Sequence, residues 1–304
     1  MKLFPVIPSL LLLLLTGCFT GVESTPKITG ADVRKERVTT TPEDNYLAGV
    51  TDSPLSAWER GKRFVVTDDK IKLIFGPTAP AQSLAGTEII YNGASESTGI
   101  TGGNVTDLSF ITASGDVVEY RINQPLKELE SKSSLSVPFT IQQSMVEQAR
   151  ALLDGKRFYI LTRSWRDDND NSVGGRQFVP ITIDSVSPGN SVYPLKLSFT
   201  DDKGVSARMF LLPGILKGSP RTFPTLFSFD DPRKKYPDIS PENWERIING
   251  RVEAGMTREE CRLALGSPKE VDRAANNSYL REIWLYENGI YLVFEDGLLK
   301  IYRR

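Results

Sequence analysis

The last stretch of the chain, residues 249–304, constrains the fold most, because local signals for helices and turns follow one another there at close spacing. Thr257-Arg-Glu-Glu260 is a capping box: the Thr257 hydroxyl and the Glu260 carboxylate can each accept a hydrogen bond from the other residue's backbone N–H. This pattern predicts a helix that begins at Thr257. Gly266 followed by Pro268 predicts where the helix ends.

Two turn signals follow this helix, Asn288-Gly289 and Asp296-Gly297. Both dipeptides are preferred in the tight turns of β-hairpins. We therefore predict a three-stranded antiparallel meander over residues 281–287, 289–295 and 298–302. An earlier helix over residues 242–249, closed by Gly250, would complete an α+β domain with two helices on one face of the meander.

A longer motif also runs through this stretch. It consists of the Gly-Met-Thr-x-Glu-Glu…Leu-Gly-x-Pro pattern within residues 248–268, Trp284-x-Tyr286, and Leu292-x-Phe294-x-x-Gly297. The motif resembles the SmpA/OmlA (BamE-like) domain, with one departure at Cys261, where the family has an aliphatic residue. That domain occurs in small lipoproteins of the outer-membrane β-barrel assembly machinery, so the resemblance implies an envelope protein with protein partners. Similar domains serve in other periplasmic proteins, and the motif therefore identifies a fold more firmly than a partner.

The amino terminus has the pattern of an export signal. Lys2 gives a positive start, and the apolar run Leu10–Leu15 is too short to span a membrane. Leu15-Thr-Gly-Cys18 resembles a bacterial lipobox, which predicts a signal peptide over 1–17 and a lipid anchor on Cys18. Because no Asp follows Cys18, the resemblance implies the outer membrane, with the protein facing the periplasm.

Charge and cysteine content limit the function classes. The chain has 37 Lys+Arg and 38 Asp+Glu, a net charge of −1. This balance does not show the excess of positive charge that is typical of nucleic-acid-binding proteins. With Cys18 lipidated, Cys261 is the only remaining thiol, so no intramolecular disulfide is expected. Residues 18–45 are rich in Thr, Ser, Pro and Gly and are predicted to form a flexible tether.

An internal duplication fills the middle of the chain. The sequence GKRF at Gly61–Phe64 recurs at Gly155–Phe158, and Leu-Ser-Phe at 108–110 recurs at 197–199. A helical turn precedes each GKRF, and short strands with polar turns follow it in corresponding places. We therefore predict two tandem copies of one small β unit, over residues 46–126 and 140–214.

The Gly-Lys-x-Phe start of each copy, followed by several short strands, resembles bacterial SH3-like modules, which implies that each copy closes into a small barrel. Residues 215–240 are proline-rich and are predicted to be a stiffened connector, whose aromatic side chains should pack on a neighbouring domain. The predicted fold class is multidomain and mostly β: two tandem SH3-like barrels, then an α+β domain over 241–304.

Catalytic chemistry is restricted because the chain contains no histidine. Ser-His-Asp and Cys-His catalysis and imidazole metal sites are thereby excluded. Asp167-Asp-Asn-Asp-Asn-Ser172 offers oxygens for Ca²⁺, but it lacks the Gly and Glu of an EF-hand loop at the required positions. We interpret it as a solvated hairpin tip. No catalytic residue, metal or cofactor is predicted.

Cys261 lies early in the predicted helix, where the helix dipole can activate a thiol. Since it also falls on the apolar stripe and has no histidine partner, we expect it to pack in the core.

Aromatic residues of the meander are candidates for binding a partner. Strand alternation places Trp284 and Tyr286 on one face of the sheet, with Tyr291 on a second strand. One face would be covered by the helices, and the other would still carry apolar residues. These three residues are therefore predicted either to form a binding surface or to pack in a core shared between domains.

The function predicted from these features is that of a non-enzymatic outer-membrane lipoprotein. It would act through contacts with envelope proteins, including barrel-assembly components, as a scaffold or accessory in outer-membrane protein assembly or envelope integrity. An alternative is the binding of cell-wall peptide or glycan by the repeats. A third hypothesis is a hydrolase that uses two carboxylates for catalysis, although no pair of Asp or Glu residues in the sequence indicates such a site.

Overall fold

The computed structural model describes residues 40–99, 102–215, 218–276 and 279–303. The predicted signal peptide, Cys18 and most of the predicted tether lie outside the described residues. Three antiparallel sheets dominate the described part, so the fold is mostly β. No helix in this part is long and apolar enough to cross a membrane. At its start, Thr41 caps the short helix α1 (Pro42–Asn45) through a capping box with Asp44.

The first sheet has five strands in the order β4-β3-β2-β1-β5. Its strands are β1 (Arg63–Val66), β2 (Glu88–Thr98), β3 (Asn104–Thr112), β4 (Val117–Ile122) and β5 (Thr140–Gln142). Its helices are α2 (Ile71–Phe75) and α3 (Leu126–Glu130), with 3₁₀ turns at Leu55–Ala57 and Gly76–Thr78. Alternate side chains of the strands point inward, and Phe64, Leu108 and Phe110 are fully buried at the centre of this core.

The second sheet has seven strands in the order β12-β6-β9-β10-β11-β7-β8, and helix α4 (Gln143–Leu153) precedes it. Its strands are β6 (Arg157–Ile160), β7 (Ser164–Arg166), β8 (Ser172–Gly174), β9 (Val179–Pro188), β10 (Leu195–Asp201), β11 (Ser206–Leu211) and β12 (Phe227–Ser228). Helix α5 (Phe223–Leu226) and a 3₁₀ turn at Pro232–Lys235 flank β12. The apolar face of α4 is buried in the core of this sheet.

The duplication is visible in the backbone. Strands β1-β2-β3-β4 and β6-β9-β10-β11 form the same antiparallel meander. The N–H of Gly61 donates to Tyr91 O at 2.9 Å, and in the second copy the N–H of Gly155 donates to Ile183 O at 2.9 Å. Both glycines have positive φ, 95° and 71°, as expected where a helical turn leads into a strand. The two sequence copies thus have the same meander of four antiparallel strands.

A β-bulge recurs at the equivalent place. In the first copy, Asn92 is the extra residue on β2, opposite β3. In the second copy, Asp184 is the extra residue on β9, opposite β10. Because a bulge bends and twists a strand, both meanders acquire the same curvature at this point.

The prediction that each copy closes into a barrel is wrong. Among the described residues, β4 and β5 are the unpaired edges of the first sheet, and β8 and β12 are those of the second. Closure needs the edge strands to pair with each other. Helices supply the apolar cover instead: Val146, Ala149 and Leu153 of α4 fill the core of the second sheet. Each sheet can therefore stay open without exposing its inner face.

The proline-rich connector contributes to the second sheet. Phe223, Leu226 and Phe227 are buried in its core, while Phe229 is 37% exposed. Strand β12 pairs with β6 as β5 pairs with β1. The two copies also share individual hydrogen bonds at this edge. Thr67 N–H donates to Phe139 O in the first copy and Leu161 N–H donates to Leu226 O in the second, both at 2.8 Å. The segment therefore completes the second copy as well as connecting it to the next domain.

The third sheet is the C-terminal sheet, with helices α6 (Pro241–Ile248) and α7 (Arg258–Leu265) against it. Thr257 caps α7 as predicted: Glu260 N–H donates to Thr257 Oγ1 at 3.2 Å, and Thr257 N–H donates to Glu260 Oε2 at 2.7 Å. Gly266, at the C-cap of α7, has a φ of 84°. The Asp296-Gly297 turn has φ values of 49° and 85°, which suits a tight hairpin.

The C-terminal sheet has four strands where the sequence predicted three: β13 (Glu270–Asn276), β14 (Tyr279–Leu285), β15 (Tyr291–Glu295) and β16 (Leu298–Arg303). The predicted meander corresponds to β14, β15 and β16. Strand β13 was missed because it is mostly polar, with Val271 its only large apolar residue. Its assignment depends on pairing with β14, which sequence alternation does not reveal.

Candidate functional site

Two of the three predicted partner-binding residues lie in the core of the C-terminal domain. Trp284 is 1% and Tyr286 is 8% exposed, on the face that α6 and α7 cover. The ring of Trp284 packs 4.7 Å from that of Phe294, and the Arg262 guanidinium lies 5.1 Å from the centre of the Trp284 ring. The Tyr286 hydroxyl donates to Gly266 O at 3.2 Å. An exposed aromatic patch built on Trp284 and Tyr286 is therefore not present.

The opposite face of this sheet is apolar and open. The register aligns Leu285 with Tyr291, and Ile283 with Val293 and then Ile301. Val293, between its cross-strand partners, is 1% exposed, whereas Leu285 is 38% and Ile301 is 50% exposed. Tyr291, the third predicted residue, is half-buried here. We call these five residues the outer face of the C-terminal sheet.

A buried carboxylate lies on the inner side of this sheet. Glu282 is 2% exposed and accepts hydrogen bonds from Arg258, at 3.0 Å, and from Arg273. Burial acts to raise the pKa of Glu282, but the hydrogen bonds from Arg273 and Arg258 outweigh it and hold the pKa below its ordinary value. Glu282 is therefore a fixed anion at neutral pH and holds strands and helix together.

Asp52 differs from Glu282, because burial raises its pKa against the lowering effects of the Ser136 hydrogen bond and of Lys62. It lines a cleft of about 390 Å³ between the first two sheets. Carboxylate-based hydrolysis needs a second carboxylate across the substrate. Among the described residues that line this cleft, Asp52 is the only acidic one.

The acidic loop after β7 is a hairpin tip, as predicted. Asp167 Oδ1 accepts from the N–H groups of Asn169 and Asn171, both at 2.9 Å, and its Oδ2 accepts from Asn171 Nδ2 at 3.0 Å. These bonds, led by the one from the Asn171 side chain, lower the pKa of Asp167. Within the described ranges, no group of three or more candidate metal ligands is found.

The one cysteine among the described residues is a core residue. Cys261 is 0% exposed and packs with Trp284 and Ala264. Burial, with a smaller contribution from the charge of Glu260, raises its pKa from the ordinary 9.0 to about 12. The side chain is thus a neutral thiol, and the predicted core role is confirmed.

A buried amide that the sequence analysis missed joins the second sheet to the C-terminal helices. Gln177 is 7% exposed, and its Nε2 donates to Leu263 O at 2.8 Å, to Ile247 O at 3.0 Å and to Ala264 O at 3.2 Å. Its backbone N–H donates to Ile248 O at 3.1 Å. The ends of α6 and α7 are thereby capped by one residue of the loop between β8 and β9 of the second sheet. A lone glutamine carries no spacing signal from which this role could be read.

A cleft of about 760 Å³ opens beside this amide, at the seam between the second sheet and the C-terminal domain. Arg163 lies along it, and its Nε donates to Gly175 O at 3.0 Å. A Cβ on Gly250 would lie 1.6 Å from Arg163 Nη1, so the guanidinium requires glycine at this position. Gln177 and Tyr286 also line the cleft and make their hydrogen bonds within the protein. These contacts show the cleft to be part of a structural seam.

Replacing Gln177 by leucine should destabilise the joint between these units. Several helix-end carbonyls would lose their donor in a buried place, which costs about 1–3 kcal/mol of unfolding free energy. Urea denaturation measures this loss, and limited proteolysis at the seam measures the loosening. The matched control is Gln148→Leu at an exposed site on α4, expected within about 0.5 kcal/mol of wild type. Equal losses in the two variants would contradict the capping role.

Cys261 should resist thiol reagents while the protein is folded. In a Cys18→Ser chain it is the only thiol, and with a pKa of about 12 roughly one side chain in ten thousand is ionised at pH 8. Labelling should be fast only after unfolding in urea. The pKa of Cys261 is higher in the folded protein than in the unfolded chain. The neutral thiol therefore contributes to the stability of the fold below pH 9.0, and this contribution is lost as the pH rises towards about 12. Fast labelling of the native protein would show that Cys261 is accessible.

Comparisons with protein-family models, with curated proteins and with solved structures give no match to this chain. The resemblances to lipoproteins and to the BamE-like domain therefore stay predictions from sequence motifs.

Proposed function

We propose that this chain is a lipid-anchored protein of the bacterial cell envelope that works by binding other proteins and carries out no catalysis. In this proposal Cys18 carries the lipid and holds the protein on the outer membrane, facing the periplasm. The C-terminal domain acts as a BamE-like module. Its partners are envelope proteins, including components that assemble outer-membrane barrels, and its role is that of a scaffold or accessory in assembly or envelope integrity.

The observation that carries the proposal is the outer face of the C-terminal sheet. A soluble antiparallel sheet usually presents polar side chains on the face that it does not bury. Here Leu285 and Ile301 are exposed beside the buried Val293, so apolar area is available to a partner. Removing such area from water contributes roughly 25 cal/mol per Å² to association. An open apolar sheet face of this kind is typical of a protein-binding surface.

The chemistry of the rest of the described chain supports binding over catalysis. The sequence has no histidine, and Cys261 is a buried neutral thiol. Glu282 is held as an anion by two guanidinium groups. These groups stabilise the fold and do not line an open cavity with a nucleophile and a base beside each other.

The anchor can be tested with the variant Cys18→Ser. We expect the wild-type chain to sediment with membranes and its mature amino terminus to carry acyl chains in mass spectrometry. The variant should lose the lipid and move to the soluble fraction, because an acyl anchor derives its affinity from buried methylenes. An unmodified Cys18 in the wild-type chain would contradict the anchor without bearing on the contact surface.

The contact surface can be tested by placing a photo-crosslinking amino acid at Leu285 in the full chain, in its native cells. We expect a crosslink to a defined envelope protein, and we expect Ile301→Asp to lower the yield about tenfold, as loss of a central apolar contact does. The matched control places the same amino acid at Leu73, which is 80% exposed on α2. Identical crosslinks from both positions, or none from Leu285, would rule out this surface.

A further inference from the structure

The open face of the second sheet is basic where the same face of the first sheet is acidic. The register places Ser109 opposite Glu119 in the first copy and Ser198 opposite Arg208 in the second, so Glu119 and Arg208 are equivalent. The same register makes Asp107 and Lys196 equivalent. The inward-facing neighbours keep their identities, namely Leu108 with Leu197 and Phe110 with Phe199. In the first copy Asp107 is balanced by Arg121 on the neighbouring strand, where the second copy has Phe210. The same meander therefore folds with either sign of charge at these positions.

The basic side chains surround one aromatic ring. The Arg166 guanidinium lies 5.4 Å and the Lys196 ammonium 5.7 Å from the centre of the Phe210 ring. Arg208 lies on the same face, in register with Arg166. We call Arg166, Lys196, Arg208 and Phe210 the basic face. Cations held over an aromatic ring are ordered by it, which suits them to bind a carboxylate.

The tip of the β7–β8 hairpin covers this basic face with two aspartates. Lys196 Nζ pairs with Asp170 Oδ2 at 2.7 Å, and Arg208 Nη2 pairs with Asp168 Oδ1 at 3.1 Å. Arg208 Nη1 also donates to Asp168 O at 2.6 Å, and Arg166 donates to Asp170 O. The tip is a tight turn, with Asp170 at a φ of 61°, and it presents two carboxylates two residues apart to three cations.

Charge is the main attachment of the tip. Residues 167–171 are Asp and Asn only, so the tip buries no apolar side chain. At the base of the hairpin Trp165 of β7 is buried in the core, but β7 pairs with the sheet only at Arg208 and Arg166, and all three residues of β8 are exposed. The fit is also incomplete, since Asp170 Oδ1 and Arg166 Nε are buried without a hydrogen-bond partner. A buried polar atom without a partner costs free energy, so an alternative acidic segment can compete with the tip.

We propose that the basic face binds an acidic segment of a partner protein, with carboxylates spaced as Asp168 and Asp170 are, and that the hairpin tip occupies this site until the partner displaces it. The tip then acts as an internal competitor that lowers the apparent affinity. This site is separate from the outer face of the C-terminal sheet and is tested without any envelope component, so the two proposals fail independently.

The test measures binding of a fluorescein-labelled hexaglutamate peptide to the full chain by fluorescence anisotropy. Asp168→Asn combined with Asp170→Asn should bind the peptide about tenfold more tightly than wild type, because two weak competing ion pairs are removed. The affinity should fall with added NaCl. Should the double variant fail to fold, Asp168→Asn alone serves, because the Asp168 side chain is 90% exposed.

The matched variant Lys196→Gln with Arg208→Gln removes two of the three cations and adds no negative charge beside Asp168 and Asp170. It should lose peptide binding while keeping the wild-type circular dichroism spectrum, because the inward-facing neighbours Leu195, Leu197 and Met209 remain buried in the core. Equal affinity in wild type and the Asp168→Asn, Asp170→Asn variant would overturn the proposal, as would equal binding of a hexaglutamine peptide. Preference for phosphatidylglycerol vesicles or for isolated cell-wall glycan over the peptide would also overturn it.

Discussion

A single buried amide fixes the C-terminal domain to the second sheet. Gln177 Nε2 carries two hydrogens and lies within bonding distance of three carbonyls from two helix ends, so at least one hydrogen is shared. Helix ends leave carbonyls that must find donors, and the largely buried Gln177 supplies one here. The next residue, Phe178, has a φ of 57° and packs its ring 6.0 Å from that of Trp244. Backbone strain is thus tolerated where the amide and the ring contact both hold the joint.

This joint determines how the two candidate surfaces are presented. The basic face lies on β7, β10 and β11, and the outer face lies on the far side of the sheet that α6 and α7 cover. Because Gln177 holds the ends of those helices to the second sheet, neither surface can reorient without breaking buried hydrogen bonds. A partner that contacts both surfaces would therefore meet a preorganised arrangement, and preorganisation lowers the entropic cost of association.

Local signals predicted the parts of the fold that local chemistry determines. The capping box at Thr257, the Gly266 helix end and the Asp296-Gly297 turn depend on neighbours within a few residues, and the structure has all of them. The duplication was readable because GKRF recurs. The features that were missed depend on distant pairing: β13 is a polar strand defined by β14, and β12 lies in a segment whose prolines indicated a connector. The prediction of barrels was wrong because closure requires the two edge strands of a sheet to pair with each other, and the number of strands does not determine whether they do.

For the candidate site too, the local features were predicted correctly and the features that depend on distant packing were missed. Alternation correctly placed Trp284 and Tyr286 on one face, but which face the helices cover depends on packing, and they cover the face with the larger aromatic side chain. The large aromatic residues therefore went to the core, and Tyr291 remained on the outer face. No local sequence pattern predicts the capping role of Gln177, because that role depends on the helix ends that surround the amide in the folded protein.

The fully buried acids of the described chain are partners of basic and polar side chains. Asp107 accepts from Arg121 at 2.7 Å, and Asp201 accepts from Arg176 at 2.9 Å. Glu260 accepts from Asn243 at 2.7 Å while it caps α7. For Asp107 the Arg121 hydrogen bond holds the pKa below its ordinary value against the effect of burial. A general acid near neutral pH needs the opposite, a carboxyl whose pKa is raised towards 7 beside a bound substrate. Among the described residues, Asp107, Asp201 and Glu260 instead join strands and helices, and Asp52, whose pKa burial raises, has no second carboxylate in its cleft.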